Sequence, residues 1–208
     1  MYLSRILLDT SKRKTQLALA YPNKFHGVVE EAFLEKQERN LWRIDTLRDK
    51  TYLLILSVSI PDLSKIAKQF GYPAINGETK KYGQLLDRIQ KDSVWHFRLV
   101  ANPTHSIKNK DKRGKVVAYV SDKEQLKWLN NQAEKKGFMI IPDSVGVIGS
   151  NWKIFHKHGR KQKVSILEVI FEGRLKVEDV DTFKNTLLNG IGREKAYGMG
   201  LLTIAGME

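Results

Sequence analysis

Apolar positions recur with two different periods along this chain, and each change of period marks a predicted element. Alternation of apolar and polar residues is typical of strands, whereas apolar residues at i, i+3, i+4 and i+7 indicate one face of a helix. The clearest helical stripe follows Pro22 and runs from Phe25 to Phe33. The first half is predicted to contain strands over 2–8, 39–47 and 51–59, helices over 22–36 and 63–70, and a weak strand within 71–83.

Capping signals support two of the helices. Asp62 stands where the second helix begins, and Ser121, with Glu124 three residues later, opens a helix over 122–136 that stops at Gly137. The second half is predicted to contain strands over 94–100, 138–148, 151–156 and 163–171, a helix over 177–189 and a final strand near Leu201.

Both halves approximate the order β-α-β-β-α-β, which is that of the ferredoxin-like fold. We therefore predict an α+β protein of two tandem ferredoxin-like (RRM-like) domains. The N-terminal domain spans 1–92 and the C-terminal domain spans 93–208. The two halves show no sequence repeat, so the predicted duplication is one of topology.

The net charge of the chain predicts the class of partner that it binds. The chain has 36 Lys and Arg against 23 Asp and Glu, a net charge of +13, which favours a polyanion and disfavours acidic small substrates. No apolar run reaches the roughly 18 residues of a membrane span, and the N-terminus lacks a signal-peptide pattern, so we expect a soluble cytoplasmic protein. The absence of cysteine excludes disulfides, thiolate catalysis and sulfur-ligated zinc.

The glycine-rich tail over 190–202 is the most informative segment. Its glycines let the backbone approach a ligand, and its cations attract phosphate, so we expect Gly190, Gly192, Arg193 and Lys195 to contact nucleic acid. It is neither a Walker loop, which needs Lys-Ser or Lys-Thr, nor a dinucleotide fingerprint, whose third glycine is Lys195 here. The alternative is a glycine-rich turn that binds nothing.

Three further clusters of cations are candidates for RNA contact. The turn between the predicted strands 151–156 and 163–171 is the strongest, because it would project from a hairpin towards phosphates. His156 and His158 lie at i, i+2, but no third ligand is near, so we expect no metal site. A charge run is also typical of solvated surface. The candidates are Lys157, His158, Arg160, Lys161 and Lys163 in the turn, Lys12 and Arg13 near the N-terminus, and Lys112 and Arg113 in the loop 108–115.

Several segments taken together resemble the CasE family, the CRISPR repeat-processing endoribonucleases of the type I-E Cascade complex. The resemblance covers nearly the whole chain in the same order and spacing. It implies the tandem ferredoxin-like fold, no cofactor, and two kinds of partner: a CRISPR repeat RNA hairpin with its crRNA product, and other Cascade subunits. The segments are residues 1–4, His26 on the first helix, 97–103, 171–175 and the tail 190–202.

The resemblance also implies that His26 is catalytic. The family pattern has a tyrosine three residues before this histidine, where this chain has Asn23. The nearest tyrosine is Tyr21, which is therefore a weaker candidate for a second catalytic hydroxyl. A non-catalytic RNA-binding subunit of the same fold is the alternative that this departure leaves open. A DNA-binding regulator lacks support, because the chain has no helix-turn-helix signature.

The residues themselves give an independent argument for His26. It lies about 90° from the centre of the apolar stripe, at the border between core and solvent, with Asn23 and Glu30 on its side of the helix. An imidazole exchanges protons near neutrality, and RNA supplies its own 2′-hydroxyl nucleophile. His26 is thus a candidate general base or general acid for cleavage to a 2′,3′-cyclic phosphate, with Arg193 or Lys195 stabilising the phosphorane. A boundary histidine without a role is the alternative.

The other histidines and the tryptophans are interpreted more simply. His96 is expected on a strand and His105 on a loop surface. No aromatic pair of the kind that stacks single-stranded RNA in RRM domains stands out. We expect the tryptophans to pack in the core. They are Trp42, Trp95, Trp128 and Trp152.

Overall fold

The computed structural model describes residues 1–33, 40–75, 77–107, 114–156 and 163–207. The first half contains β1 (Tyr2–Leu7), α1 (Arg13–Ala20), α2 (Asn23–Glu31), β2 (Leu41–Leu47), β3 (Lys50–Ser57), α3 (Leu63–Phe70), β4 (Glu78–Lys81) and α4 (Gly83–Leu86). The second half contains β5 (Val94–Ala101), β6 (Thr104–Ile107), β7 (Lys115–Ala118), α5 (Asp122–Glu134), β8 (Phe138–Ile140), β9 (Gly146–His156), β10 (Lys163–Val177), α6 (Val180–Asn189), a 3-10 turn (Lys195–Tyr197) and β11 (Leu202–Gly206).

Apart from β6 and β7, which pair with each other, the described strands form two antiparallel sheets with the same order. The first sheet runs β2-β3-β1-β4, and the second runs β11-β5-β10, with β10 paired to β9 along its first part and to β8 at its end. In both, the first strand lies between the third and the fourth, which is the ferredoxin-like arrangement. The predicted α+β fold class of tandem ferredoxin-like domains is confirmed. The division at residue 92 stays a prediction.

Helix caps decide where three helices begin. Asp62 Oδ1 accepts from Ser64 N at 3.1 Å, and Ser121 Oγ donates to Glu124 Oε2 at 2.7 Å, as the capping signals predict. The helix predicted over 177–189 begins later, at Val180. The reason is a cap that sequence reasoning missed, since Asp179 Oδ1 accepts from Thr182 N at 2.8 Å.

Two other predicted boundaries are wrong, and two elements of the structure were not predicted. The helix predicted over 22–36 ends at Glu31, where Phe33 N donates to Glu30 O and tightens the last turn. The strand predicted over 138–148 is interrupted between β8 and β9 by a turn in which Asp143 has a φ of +55°. Helix α1 was missed because Lys12 offers no side-chain cap. The hairpin of β6 and β7 was missed because its strands are only four residues long.

The two halves share part of one hydrophobic core. Leu41, Leu56, Tyr82 and Ile89 of the first half lie in the same buried cluster as the helix-facing residues of the second sheet. A separate cluster packs α1, α2 and α3 against the first sheet. The first sheet is thus covered by its own helices and also contacts the second half. This arrangement brings residues from both halves to one cleft.

The tryptophans do not all behave as expected. Trp42, Trp95 and Trp128 are buried, with exposures of 2%, 4% and 8%. Trp152 is 50% exposed on β9, so the expectation that it packs in the core is wrong. Among the described strands β9 pairs only with β10, so Trp152 lies on a strand at the edge of the sheet.

Candidate functional site

His26 lies on the solvent border of α2, as the helical stripe predicts. Its side chain is 44% exposed, and its Nδ1 lies 4.0 Å from Oε1 of Glu30, one turn later. The preceding residue, Phe25, points inward, with its ring 5.9 Å from Trp42 and 5.1 Å from Phe70. Phe25 therefore anchors the helix while the imidazole stays accessible. Glu30 is placed to orient the imidazole, although 4.0 Å is too long for a hydrogen bond.

Tyr21 lies at the corner between α1 and α2. Its backbone N–H donates to Leu17 O at 2.9 Å, and its carbonyl accepts from Lys24 N at 3.0 Å. The side chain is 40% exposed. Asn23 begins α2 one turn before His26, and its Oδ1 is buried without a hydrogen-bond partner among the described residues. Tyr21 therefore lies just before the helix that carries His26, with an exposed side chain.

Packing accounts for the glycines of the tail. Gly198 has a φ of +82°, and a Cβ there would lie 2.5 Å from Cζ3 of Trp42. A Cβ at Gly190 would lie 2.6 Å from Gly200 O, and Gly192 lies beside the Trp128 ring. Gly200 N donates to Val100 O at 2.7 Å, which fixes the tail to β5. Close packing is therefore sufficient to require these glycines, and their contact with nucleic acid stays a prediction.

The glycine-rich tail and α2 meet at one cleft. The 3-10 turn of the tail packs against both α2 and β2. Tyr197 of this turn lines a cleft of about 270 Å³ together with Pro22 and Phe25. Burial raises the pKa of the Tyr197 phenol, and the nearby carboxylate of Glu194 adds to this. Two segments that are far apart in sequence, both predicted to be functional, therefore lie side by side.

The two predicted cations of the tail differ in their surroundings. Arg193 is exposed. Lys195 is half-buried, and its Nζ donates to Asn189 O at 2.6 Å, at the C-terminus of α6. A cation there interacts favourably with the helix dipole, so Lys195 also has a structural role. Arg193 is the more accessible of the two for a ligand phosphate.

A buried arginine joins the two halves at the floor of the cleft. Arg43 is 1% exposed and lies on β2, where sequence reasoning gave it no role. Its guanidinium pairs with Asp45 and donates to groups on β5 and around β11. Its partners are Asp45 Oδ1 at 2.8 Å and Oδ2 at 2.6 Å, Arg98 O at 2.9 Å, Leu201 O at 2.8 Å and Thr203 Oγ1 at 2.8 Å.

This network continues through Arg98. Its Nε lies 3.1 Å from Asp45 Oδ1, and its Nη1 pairs with Glu172 on β10. Asp45 is thus held between two arginines, one from each half of the chain. Arg43 and Arg98 both line the cleft, so the network fixes the relation between the sheet behind α2 and the sheet that carries the tail.

The other basic candidates fall in different places. Lys12 precedes α1 and its Nζ donates to Gly71 O, while Arg13 begins α1 and is exposed. Lys163 is exposed at the start of β10, where it pairs with His156 of β9. The strands on both sides of the predicted basic turn therefore form the expected hairpin. The other basic candidates lie outside the described residues: Lys112, Arg113, Lys157, His158, Arg160 and Lys161.

Two kinds of feature, a metal-binding cluster and a membrane-spanning helix, are absent from the described ranges. Within them, no group of three His, Asp or Glu side chains is arranged to hold a metal ion. In the same ranges, no helix combines the length and the apolar character needed to cross a membrane.

The fold thus combines two tandem ferredoxin-like halves, an accessible histidine on α2 and a glycine-rich tail that packs against this helix. The model of the CRISPR associated protein family matches residues 1–206, and this chain belongs to that family. Its relatives identify the type I-E CasE/Cse3 group within it.

Three comparisons describe this relationship. The CRISPR-associated endoribonuclease Cse3 of Thermus thermophilus is 29% identical, over 99% of this chain and the whole of the relative. The Cascade subunit CasE of Escherichia coli is 31% identical, over 60% of this chain and 64% of the relative. The structure of Cse3 bound to a 19-nucleotide RNA has a TM-score of 0.81 and 27% identity, and covers 99% of this chain and 100% of that one.

Proposed function

We propose that this protein is a metal-independent endoribonuclease that cleaves the hairpin of a CRISPR repeat RNA and remains bound to the product as a Cascade subunit. The observation that carries the proposal is the position of His26, exposed on a helix that packs against the glycine-rich turn at a cleft between two ferredoxin-like halves. The name and the RNA-bound structure of the Cse3 relative support RNA cleavage as the activity.

The reaction needs little from the protein, because the RNA carries the nucleophile. The 2′-oxygen attacks the adjacent phosphorus, a new P–O2′ bond forms, and the P–O5′ bond breaks. The 2′-hydroxyl proton leaves to a base, and an acid delivers a proton to the departing 5′-oxygen. The products are a 2′,3′-cyclic phosphate and a 5′-hydroxyl. No redox partner or activated water is required.

His26 is the proposed proton-transfer group, either as the base at the 2′-hydroxyl or as the acid at the 5′-oxygen. Glu30 would hold the imidazole's orientation from one turn away. Tyr21 is the proposed second hydroxyl, standing in for the tyrosine that Asn23 replaces. Arg193 is the proposed cation for the charge that develops on the phosphorane, with Lys195 beside it.

RNA binding is proposed for the basic segments. The turn 157–163 at the end of the β9–β10 hairpin would contact phosphates along the stem, and the Lys12 and Lys112 clusters would extend this surface. The N-terminal domain over 1–92 would then carry the catalytic helix, and the C-terminal domain over 93–208 would supply both the hairpin and the glycine-rich tail.

A second candidate function is a non-catalytic RNA-binding subunit of the same fold. One observation favours it: Asn23 occupies the position where the family pattern has a tyrosine, and its Oδ1 makes no hydrogen bond among the described residues. The two candidates differ only in whether the bound RNA is cut.

The test is a pair of histidine variants assayed on repeat RNA. His26→Ala should lower the cleavage rate by about 10²–10⁴-fold while the RNA affinity stays within a few fold, because a proton-transfer group contributes mainly to rate. His96→Ala is the matched control, since His96 is also exposed but lies on β5. Cleavage by His26→Ala at the wild-type rate would overturn the assignment. Absence of cleavage by the wild-type protein would favour the non-catalytic subunit.

A further inference from the structure

Trp152 is the exposed tryptophan of this protein. It is 50% exposed, whereas the other three are at most 8% exposed. It lies on β9, which among the described strands pairs only with β10 and so forms an edge of the second sheet. A half-exposed indole on an edge strand lowers solubility and favours association with other molecules. Such a residue is therefore common where a partner covers it.

On the face of the hairpin that carries Trp152, an apolar residue lies next to the indole and basic residues follow towards the turn. The register pairs Trp152 with Leu167, Ile154 with Ser165, and His156 with Lys163, and directly paired side chains share one face. Ile154 is 49% exposed, and both His156 and Lys163 are exposed. We name this surface the hairpin platform. It consists of Trp152, Ile154, His156, Lys163 and Ser165.

The opposite face of the same hairpin is already occupied. Phe155 is 1% exposed, and its ring lies 4.9 Å from that of Tyr197 in the glycine-rich tail. Lys153 on that face pairs with Glu168 at 3.6 Å. The hairpin is therefore held against the cleft by one face. On the other face the core ends at Leu167, which is 2% exposed, and the platform from Trp152 towards the turn is open to solvent.

The chemistry of the platform favours RNA as its occupant. Lysine is depleted from protein–protein interfaces, whereas an aromatic ring followed by cations is the usual composition of a surface that stacks bases and holds phosphates. The platform leads into the turn 157–163, which is rich in Lys and Arg, and the chain has a net charge of +13. Charge and continuity with the proposed docking turn thus point to the same partner.

Bases inside a stem already stack on each other, so an indole ring stacks best on an unpaired nucleotide. We infer that Trp152, flanked by Ile154, is a stacking platform for an unpaired nucleotide next to the stem of the bound RNA hairpin. This inference rests on the proposed function, because it takes the hairpin gripped by the basic turn as its starting point. It adds a contact that a hairpin with unpaired flanking nucleotides makes and the stem alone does not.

Because one of the four tryptophans is exposed, quenching of tryptophan fluorescence measures directly whether Trp152 is covered. Acrylamide quenches accessible indoles, so in the free protein it should quench mainly Trp152. The His26→Ala protein would be titrated with two RNAs, the repeat hairpin alone and the same hairpin with unpaired flanking nucleotides. The flanked RNA should protect the quenchable fraction, and the bare hairpin should leave it accessible. Trp152→Phe should remove this fraction from the free protein.

Affinity measurements complete the test. Trp152→Ala should weaken binding of the flanked RNA by roughly 5- to 150-fold, the usual effect of one base–aromatic stack, with little change for the bare hairpin. Trp152→Phe should recover most of the loss. Ile148→Ala is the matched control, because Ile148 is 54% exposed on the same strand but lies at the register shift, outside the platform.

Four results would overturn the inference. The first is an unprotected Trp152 in a His26→Ala protein that still binds the flanked RNA, while the wild-type protein cleaves that RNA, which would leave the proposed function intact. The second is equal protection by the bare hairpin, which would place the indole on the stem. The third is a Trp152→Ala protein with normal RNA affinity that fails to join its complex, which would assign the platform to a protein subunit. The fourth is a protein that binds neither RNA, in which case the proposed function falls as well.

Discussion

Gly198 lies directly on the ring of Trp42: a Cβ at this glycine would be 2.5 Å from Cζ3 of the indole. The same indole also packs against Phe25, whose ring centroid is 5.9 Å away and which precedes His26 on α2. The glycine-rich tail is therefore connected to the candidate catalytic helix through one buried tryptophan. Any change that displaces the tail from Trp42 should also disturb the helix that carries the imidazole.

The first prediction uses this contact. Gly198→Ala should destabilise the protein by about 1–3 kcal/mol, because the methyl group has no space and the residue has a positive φ. The rate of RNA cleavage should fall more than the RNA affinity. Urea unfolding and single-turnover cleavage measure the two effects. Gly83→Ala is the control, since a Cβ there meets nothing within 4 Å. A Gly198→Ala protein with normal cleavage would show that the position of the tail does not matter to His26.

The second prediction concerns Arg43. Arg43→Met should lower the free energy of unfolding by about 3–5 kcal/mol, because it removes one of the two arginines that hold the largely buried Asp45 carboxylate and leaves three other acceptors without the donor Arg43. Arg5→Met in the same sheet is the control, since the Arg5–Glu78 pair is about half-exposed, with side-chain exposures of 49% and 55%. Its loss should cost about 1 kcal/mol or less. Equal losses of unfolding free energy in the two variants would contradict the conclusion that Arg43 joins the two halves.

The third prediction concerns the basic turn. Neutralising Lys157, Arg160, Lys161 and Lys163 together should weaken RNA binding strongly and flatten the slope of log K against log salt by a few units, because fewer counterions are released. Cleavage at saturating protein should survive in part, since these residues position RNA and do not transfer protons. An unchanged slope and affinity would shift the docking role to the Lys12 or Lys112 clusters.

The fourth prediction separates the candidates for the second hydroxyl. Tyr21→Phe should slow cleavage less than His26→Ala, because Tyr21 lies at the corner before α2. Asn23→Tyr should accelerate cleavage if a hydroxyl one turn before His26 contributes. Cleavage rates at saturating RNA are the measurement. A Tyr21→Phe protein as impaired as His26→Ala would show that Tyr21 fully carries the role.

The sequence predicted the fold well where local signals were strong. Capping residues such as Ser121 and Asp62 located helix starts, and the apolar stripe of α2 placed His26 at the solvent border. Predictions failed where the deciding interaction is between distant residues or the segment is short. Helix α1 has no cap, and the end of α2 depends on packing of its last turn.

The candidate site was predictable only in its separate parts. The resemblance to the CasE family identified His26, periodicity placed it at the solvent border, and composition identified the tail. Only the fold shows that the helix carrying His26 packs against this tail. Arg43 was not found, because an arginine in a strand usually points to solvent and its partners at Leu201 and Thr203 come from the other end of the chain. Trp152 was misassigned because its exposure depends on which strand lies at the edge of the sheet, and this follows from the pairing of β9 with β10.

The most direct test of the proposed function is cleavage of repeat RNA in excess EDTA, with a substrate that carries a single 2′-deoxy nucleotide at the cleavage position beside the all-ribose substrate. The wild-type protein should cut the all-ribose RNA at the same rate with and without EDTA, leave a 3′ end blocked against ligation, and fail to cut the 2′-deoxy RNA. His26→Ala should cut the all-ribose RNA about 10²–10⁴-fold more slowly and should not cut the 2′-deoxy RNA. Cleavage of the 2′-deoxy RNA, or activity that returns only with added Mg²⁺, would contradict the proposed mechanism.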